Sequence, residues 1–453
     1  MNFLSRSLTT PPATAVTTTP SPAVVILTQF QQEHPDIKFL RWQWQDYSGV
    51  QRARVVLLDT AIAQLAEGKP MKATGLALTC SVDNHLIPGT PTDAQFWLVP
   101  DWTTLHPTIS PGSAQVLCSL DYTLPGQPMT QALCPRHTLS RVLEQAQTRW
   151  DLSFLVGFEV EFVIMKPHPE TGKMERYSRG WGLFSVAGLR DPCYTHVEQC
   201  VLQLQARGVD IQAIHTEGVR GQYEFALGPK PPLQAVDQLL LVHGYLKDTF
   251  APLGCAVTMV PKPVAGDPLA NGQHTHLSLQ PNPAPELEAS FLAGMLKRLP
   301  ALSAFCLPQD VSYERLKPFV GGADAVGWGT ECRLTPVRKL EPGRWEIRCV
   351  DAMANMYLTL AAVIGAGLLG LEGREPLVWP DLGDPVNANA DPGEPLPKKL
   401  EEALDVLHAD ADGLANVIGK RIIDLYVATK RFEVASLAKL DPEEVRGLFV
   451  ELF

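Results

Sequence analysis

The stretch VGFEVEFVIM, residues 156–165, is rich in Val, Phe and Ile and reads as a β-strand. Side chains along a strand alternate between faces. Phe158, Val160 and Phe162 therefore share one face, and Glu159 and Glu161 share the other. Carboxylates two positions apart on one face lie roughly 6–7 Å from each other. At an effective dielectric of about 20 they repel by about 2–3 kcal/mol. Two readings meet that cost: a solvated outer face of an antiparallel sheet, or a cation held between the two carboxylates.

Other short runs repeat the pattern. GQYEF sets Gln222 and Glu224 opposite Tyr223 and Phe225; HTHLS aligns His274, His276 and Ser278; RWEIR aligns Arg344, Glu346 and Arg348. Each alone has a plain explanation: a satisfied histidine pair, a salt-bridge ladder, or Glu217 capping the turn before Gly218. Together they show polar faces made of Glu, His and Arg where a solvated face would carry Lys, Ser and Thr. That composition points to a concave catalytic face.

The 453 residues suffice for two or more domains. The apolar share of 45% and charged share of 19% are ordinary for a soluble globular protein. A net charge of −11 without a basic block argues against nucleic acid as a partner. Nine scattered cysteines without a C-x-x-C pair read as free thiols in a reducing compartment, which predicts a cytoplasmic protein. The Thr/Pro/Ser-rich start predicts a disordered tail over 1–23. Residues 24–130 read as short strands and turns, and PGQPMTQALCPRH as a linker. Next comes a helix over 138–150, with Thr138 or Ser140 near its N-cap. The apolar run at 353–371 is interrupted by Asn355 and Thr359 and reads as a Gly/Ala-rich core helix, so no membrane is expected. Neither G-x-x-x-x-G-K-[ST] nor G-x-G-x-x-G occurs, and the β-α-β rhythm of a parallel sheet is missing.

GFEVEF, HTEGVRGQYEF, NGQHTHLSL, SYERLKP, CRLTPVR and GRWEIRCVDAMANMYLTLAA follow one another in the order and rough spacing of glutamine synthetase, which the chain resembles from about Phe39 to its end. The resemblance implies an α+β fold: a small N-terminal β-grasp-like domain (24–130) and a large catalytic domain (131–453) with a curved antiparallel sheet flanked by helices. It also implies two or more Mg²⁺ or Mn²⁺ ions per subunit. Glu161, Glu217 and Glu224 match one metal site, and Glu159, His274 and Glu346 the other. Oxygen ligands with one imidazole suit those ions. Arg338 and Arg344 match residues on the ATP phosphates, Arg333 one on the transferred phosphoryl group, and His276 and Ser278 the nucleotide-side strand. Arg315 matches the grip on the substrate α-carboxylate and Arg348 the one facing the γ-carboxylate, with Gly272 on the substrate side. Guanidinium forks suit carboxylates and phosphates alike. The implied catalytic residues are Arg333, Arg348 and Glu346, and the implied assembly is a homo-oligomer of stacked rings, a decamer or dodecamer.

Two departures concern the nitrogen acceptor. Lys72 stands near the place of an Asp that helps bind ammonium, and Gly321 or Gly322 stands where the family carries a flap glutamate. DPLANGQH also replaces the usual glycine-rich loop before the histidine. An ammonium site needs anionic partners to desolvate the cation, and small flap residues make room for a larger amine. The expected reaction joins an amine to glutamate through a γ-glutamyl phosphate. An ordinary glutamine synthetase using ammonia, and a non-catalytic scaffold, are the alternatives.

Overall fold

The computed structural model describes residues 21–453 apart from 91–93, 124–128, 269, 388–389 and 410–412. The predicted tail through residue 20, residues 125–128 of the predicted linker, and residue 269 of the altered glycine loop lie outside the described residues. The chain opens with α1 (Pro22–Glu33), which begins inside the predicted tail because Pro22 presets the first helical turn and Leu27 and Phe30 bury themselves below it. Strands β1 (Phe39–Gln45) and β2 (Gln51–Leu57) form an antiparallel hairpin, followed by α2 (Leu58–Ala66). The two helices depart from the expectation of strands and turns alone. Then come β3 (Lys72–Ala73), β4 (Gln95–Pro107) and β5 (Ser113–Thr123). The sheet order is β2-β1-β5-β4-β3, with β1 and β5 parallel and the other pairs antiparallel, a β-grasp-like arrangement.

Helix α3 (Pro135–Trp150) starts before the expected caps, again with Pro at its start. The Thr138 hydroxyl donates to the Cys134 carbonyl at 2.9 Å, so Thr138 bonds back along the helix instead of capping it. Arg136 on α3 reaches Asp101 of β4 at 2.6 Å and Asp237 at 2.7 Å, tying the small sheet to the large body.

The large body continues with β6 (Ser153–Pro167), β7 (Met174–Arg176), α4 (Pro192–Gln205), β8 (Ile211–Thr216), β9 (Gln222–Leu227), α5 (Pro232–Phe250), β10 (Ala256–Thr258) and β11 (Thr275–Gln280). After these come α6 (Pro285–Lys297), α7 (Leu299–Cys306), β12 (Trp328–Thr330), β13 (Val337–Glu341), β14 (Arg344–Ile347), α8 (Met356–Gly373), α9 (Leu400–Ala409), α10 (Lys420–Leu437) and α11 (Pro442–Leu452). Its curved sheet runs β12-β13-β14-β11-β6-β9-β8, with β7 and β10 on the far end of β6. Among the described residues this sheet is antiparallel apart from the β12–β13 pair.

Helix α8 is long and apolar enough to cross a membrane by composition, yet 83% of it is buried inside the protein. Gly294 of α6 and Gly370 of α8 let the two helices cross closely: a Cβ on Gly294 would meet the Gly370 Cα at 2.6 Å. The apolar faces of both sheets join one continuous core, which leaves the polar face of the large sheet to build a site.

Candidate active site

Strand β6 is the axis of the site. Residues 153–158 pair with β11, and residues 159–163 pair with β9. The register creates two cross-strand rows. Gly157, His276, Glu346 and Arg338 are successive neighbours across β6, β11, β14 and β13. Glu161, Glu224 and His215 are successive neighbours across β6, β9 and β8. Glu159 lies between the rows: its Oε1 is 3.0 Å from His276 Nε2 and its Oε2 3.0 Å from His274 Nδ1.

Two groups of metal-ligating atoms result. In Glu159, His274 and Glu346 these atoms lie within 4.8 Å of one another, and His274 Nδ1 is 3.5 Å from Glu346. The second group is His215, Glu217 and Glu224, with His215 Nε2 at 3.2 Å from each carboxylate. Glu161, placed with Glu217 and Glu224 by the family resemblance, stands between the groups. It is 3.9 Å from His274 and accepts a 2.8 Å hydrogen bond from Gln222 Nε2. His215 was missed by the sequence reading. It lies two positions before Glu217 at the end of β8, where strand alternation alone sets both side chains on one face.

Charge is concentrated here on side chains that are buried or half-buried. Burial and the neighbouring carboxylates push the Glu224 carboxyl up to about 7, and burial also raises Glu161. Hydrogen bonds to Glu217 and Glu224 push His215 up to about 10. Burial opposes ionisation of Glu159, but hydrogen bonds from His274 and His276 outweigh it and hold this carboxyl well below the usual range. A protein with these side chains and no cation must therefore carry extra protons on its imidazoles or carboxyls. Four carboxylates and two imidazoles in two sets fit hard divalent cations as a donor set.

Two hollows meet at Glu159. One, of about 530 Å³, is lined by Gly157, His276, Ser278, Asn282 and Arg344 together with apolar residues such as Leu155 and Leu227. The other, a cleft of about 200 Å³, is lined by Glu159, His274 and the His215–Glu217–Glu224 group with Arg333, Arg348, Phe184 and Phe319. Arg333 is exposed. Glu346 is buried between Arg348 and Arg338, receiving a hydrogen bond from each, the latter at 3.0 Å. Arg344 is not its partner; it stands 42% exposed and 3.9 Å from Glu341.

Three expected features take a different form. Arg315 is fully buried and spends its guanidinium on main-chain oxygens of Asn271 and Arg348, so it does not line the cleft. Gly272 permits this packing: a Cβ there would meet the Arg315 guanidinium at 2.6 Å and Glu161 at 3.0 Å. Gly321 is no opening for a larger amine. Its N–H donates to the Arg315 carbonyl at 2.9 Å, and a Cβ would stand 2.7 Å from that oxygen. Lys72 sits on the edge strand β3 with its ammonium 5.8 Å from the Trp97 ring, apart from the residues lining the cleft.

Among known proteins, the pattern for "Glutamine synthetase, catalytic domain" matches residues 132–446. The chain is 30% identical over 446 residues to Protein fluG of Emericella nidulans, covering 94% of this chain and 50% of that protein. It thus spans half the length of that relative. It is 30% identical over 353 residues to Gamma-glutamylpolyamine synthetase GlnA3 of Streptomyces coelicolor, covering 70% and 72%. To a glutamine synthetase of Mycobacterium tuberculosis it is 28% identical over 445 residues, covering 91% and 96%. The solved structure titled "Apo GmaS without ligand" superposes with a TM-score of 0.77 at 25% identity, covering 93% of this chain and 98% of that one. A β-grasp-like sheet thus lies beside a curved sheet that gathers carboxylates and imidazoles in a cleft. The chain belongs to the glutamine synthetase family, and its relatives include proteins named for γ-glutamylpolyamine as well as for glutamine synthesis.

Proposed function

We propose that the chain is an ATP-dependent ligase that joins an amine to the γ-carboxyl of glutamate through a γ-glutamyl phosphate. The observation that carries this reading is the meeting of two hollows at Glu159. The larger offers Ser278, His276 and Arg344 beside apolar walls, a surface suited to a nucleotide. The smaller offers Arg333 and Arg348 beside the acidic groups, a surface suited to a carboxylate receiving a phosphoryl group.

Glu159, His274 and Glu346 would hold one divalent ion, and His215, Glu217 and Glu224, with Glu161 adjoining, another. Bound there, Mg²⁺ or Mn²⁺ supplies neutralisation of phosphate charge during transfer. Arg348, fixed by Glu346, orients the acid, and Arg333 meets the transferred group as negative charge spreads over its oxygens. In the second half, the amine nitrogen bonds to the acyl carbon, the carbon–oxygen bond to phosphate breaks, and phosphate departs. An alkylammonium gives up two protons overall, one before attack and one from the adduct.

An amine panel with ammonium as one member, incubated with ATP, Mg²⁺ and glutamate, tests the reading by phosphate release and product mass. Turnover with a primary amine supports it. Turnover with ammonium alone favours the ordinary glutamine synthetase, a reading supported by the near full-length match to the mycobacterial enzyme. No phosphate release with any acceptor marks the scaffold alternative. We also propose assembly into a homo-oligomer of stacked rings, a decamer or dodecamer; light scattering giving the 49.6 kDa monomer at micromolar concentration overturns that.

A further inference from the structure

Two phenylalanines line the acidic cleft, and both stay largely in water: Phe184 is 67% exposed and Phe319 is 72% exposed. Both sit in the left-handed backbone region, at φ 59° and 67°, where a residue with a Cβ is strained. Phe319 follows Pro318 in a turn closed by the Val320 N–H donating to the Lys317 carbonyl at 3.1 Å. That position, with positive φ after a proline, ordinarily takes Gly or Asn. Phe184 is pinned: the N–H groups of Leu183 and Phe184 donate to the carbonyls of Glu217 and Thr216 at 2.9 and 3.1 Å. Its ring lies 4.8 Å from the His215 ring, tilted by 36°. The chain thus accepts backbone strain at two separate loops and leaves two large rings exposed at one cleft.

We propose that Phe184 and Phe319 form an aromatic gate that selects, as nitrogen acceptor, primary amines carrying an apolar chain or ring over ammonium and over strongly polar amines. This inference rests on the ligase reading above and names its acceptor class. Ring faces attract an alkylammonium through their negative quadrupole and shelter its carbons from water. Each fully sheltered methylene contributes about fourfold in binding. The acidic groups draw the cationic end inward, and the carbon chain trails past the rings. Phe319 is the aromatic side chain of that loop at the cleft, beside Val320.

The test measures kcat/KM for ammonium, methylamine, butylamine and benzylamine in the wild type, Phe184→Ala and Phe319→Gly. The wild type is expected to favour butylamine and benzylamine over methylamine by at least about tenfold. Each variant should lower the butylamine-to-ammonium and benzylamine-to-ammonium ratios by at least about tenfold, while the KM for ATP stays put. Glycine at φ 67° relieves strain, so Phe319→Gly should melt no lower than the wild type. Unchanged ratios in both folded variants overturn the gate. So does a change confined to the assembled size, which would mean that a second copy covers the rings. Turnover with methylamine but none with the larger amines overturns the gate and leaves the ligase reading standing, whereas turnover with ammonium alone overturns both. An absence of turnover with every acceptor overturns both.

Discussion

His274 Nε2 lies 3.2 Å from the main-chain oxygen of Val320, while its Nδ1 faces Glu159 at 3.0 Å. One imidazole therefore joins the acidic cleft to the flap that carries Phe319. The Val320 carbonyl accepts the Nε2–H and so leaves Nδ1 to serve as a ligand. The expected outcome of His274→Ala is a loss of Mg²⁺ or Mn²⁺ affinity of at least about 10-fold, the low end of what losing even an outer partner of a metal ligand costs, together with faster amide exchange over residues 316–322. Calorimetry and hydrogen exchange check the two effects separately. A lost affinity with an unchanged flap would show that the bond to Val320 holds nothing in place.

Glu346 has two guanidinium partners, the buried Arg348 and the half-buried Arg338. Glu346→Ala removes a candidate ligand and leaves the buried Arg348 without its anion, while Arg338 keeps its second partner, Glu331. Turnover should fall by at least about 10²-fold, the scale of losing one preorganised electrostatic group. Breaking a buried ion pair should also cost about 3–5 kcal/mol of stability. Glu346→Gln separates these effects, because it keeps side-chain hydrogen bonding and should lose turnover with a smaller drop in melting temperature. Near-normal turnover in either variant refutes the assignment.

Restoring a flap carboxylate at Gly321 should damage the fold before it changes the acceptor. A Cβ there meets the Arg315 carbonyl at 2.7 Å, backbone that cannot swing aside. Gly321→Ala, with no charge at all, is expected to destabilise by about 1–3 kcal/mol, the range for overpacking. Denaturant unfolding measures it. A variant as stable as the wild type would show that the flap can move away.

The cleft also predicts a pH dependence. His215 is raised to about 10 by Glu217 and Glu224, against about 6.5 for an unperturbed histidine. Its pairing stabilises the metal-free protein fully below about pH 6.5 and fades as pH rises through about 10. A divalent cation competes with that proton for the same carboxylates. Added Mg²⁺ should therefore raise the melting temperature more at pH 9 than at pH 6. Equal increments at both values would remove His215 from the metal group.

Much was legible in the sequence because strands encode their faces locally. The period-two alternation in residues 156–165 and 344–348 was enough to put Glu159 with Glu161, and Glu346 with Arg348, on polar faces. The Gly/Ala-rich, largely apolar character of α8 was enough to make it a core helix. Both properties depend only on neighbours a few residues away. Which polar residues meet across strands is a matter of register, set by hydrogen bonds and packing between segments far apart in the chain. Only the tertiary structure put Glu161 opposite Glu224 and Glu224 opposite His215, and so drew His215 into the site. Only it gave Glu346 to Arg338 in place of Arg344, and set Gly321 against the Arg315 carbonyl. Helices α1 and α2 belong with these. They are short, and what holds them is burial of a few residues, Leu27, Phe30, Leu58 and Ala61, against a sheet whose strands lie elsewhere in the sequence.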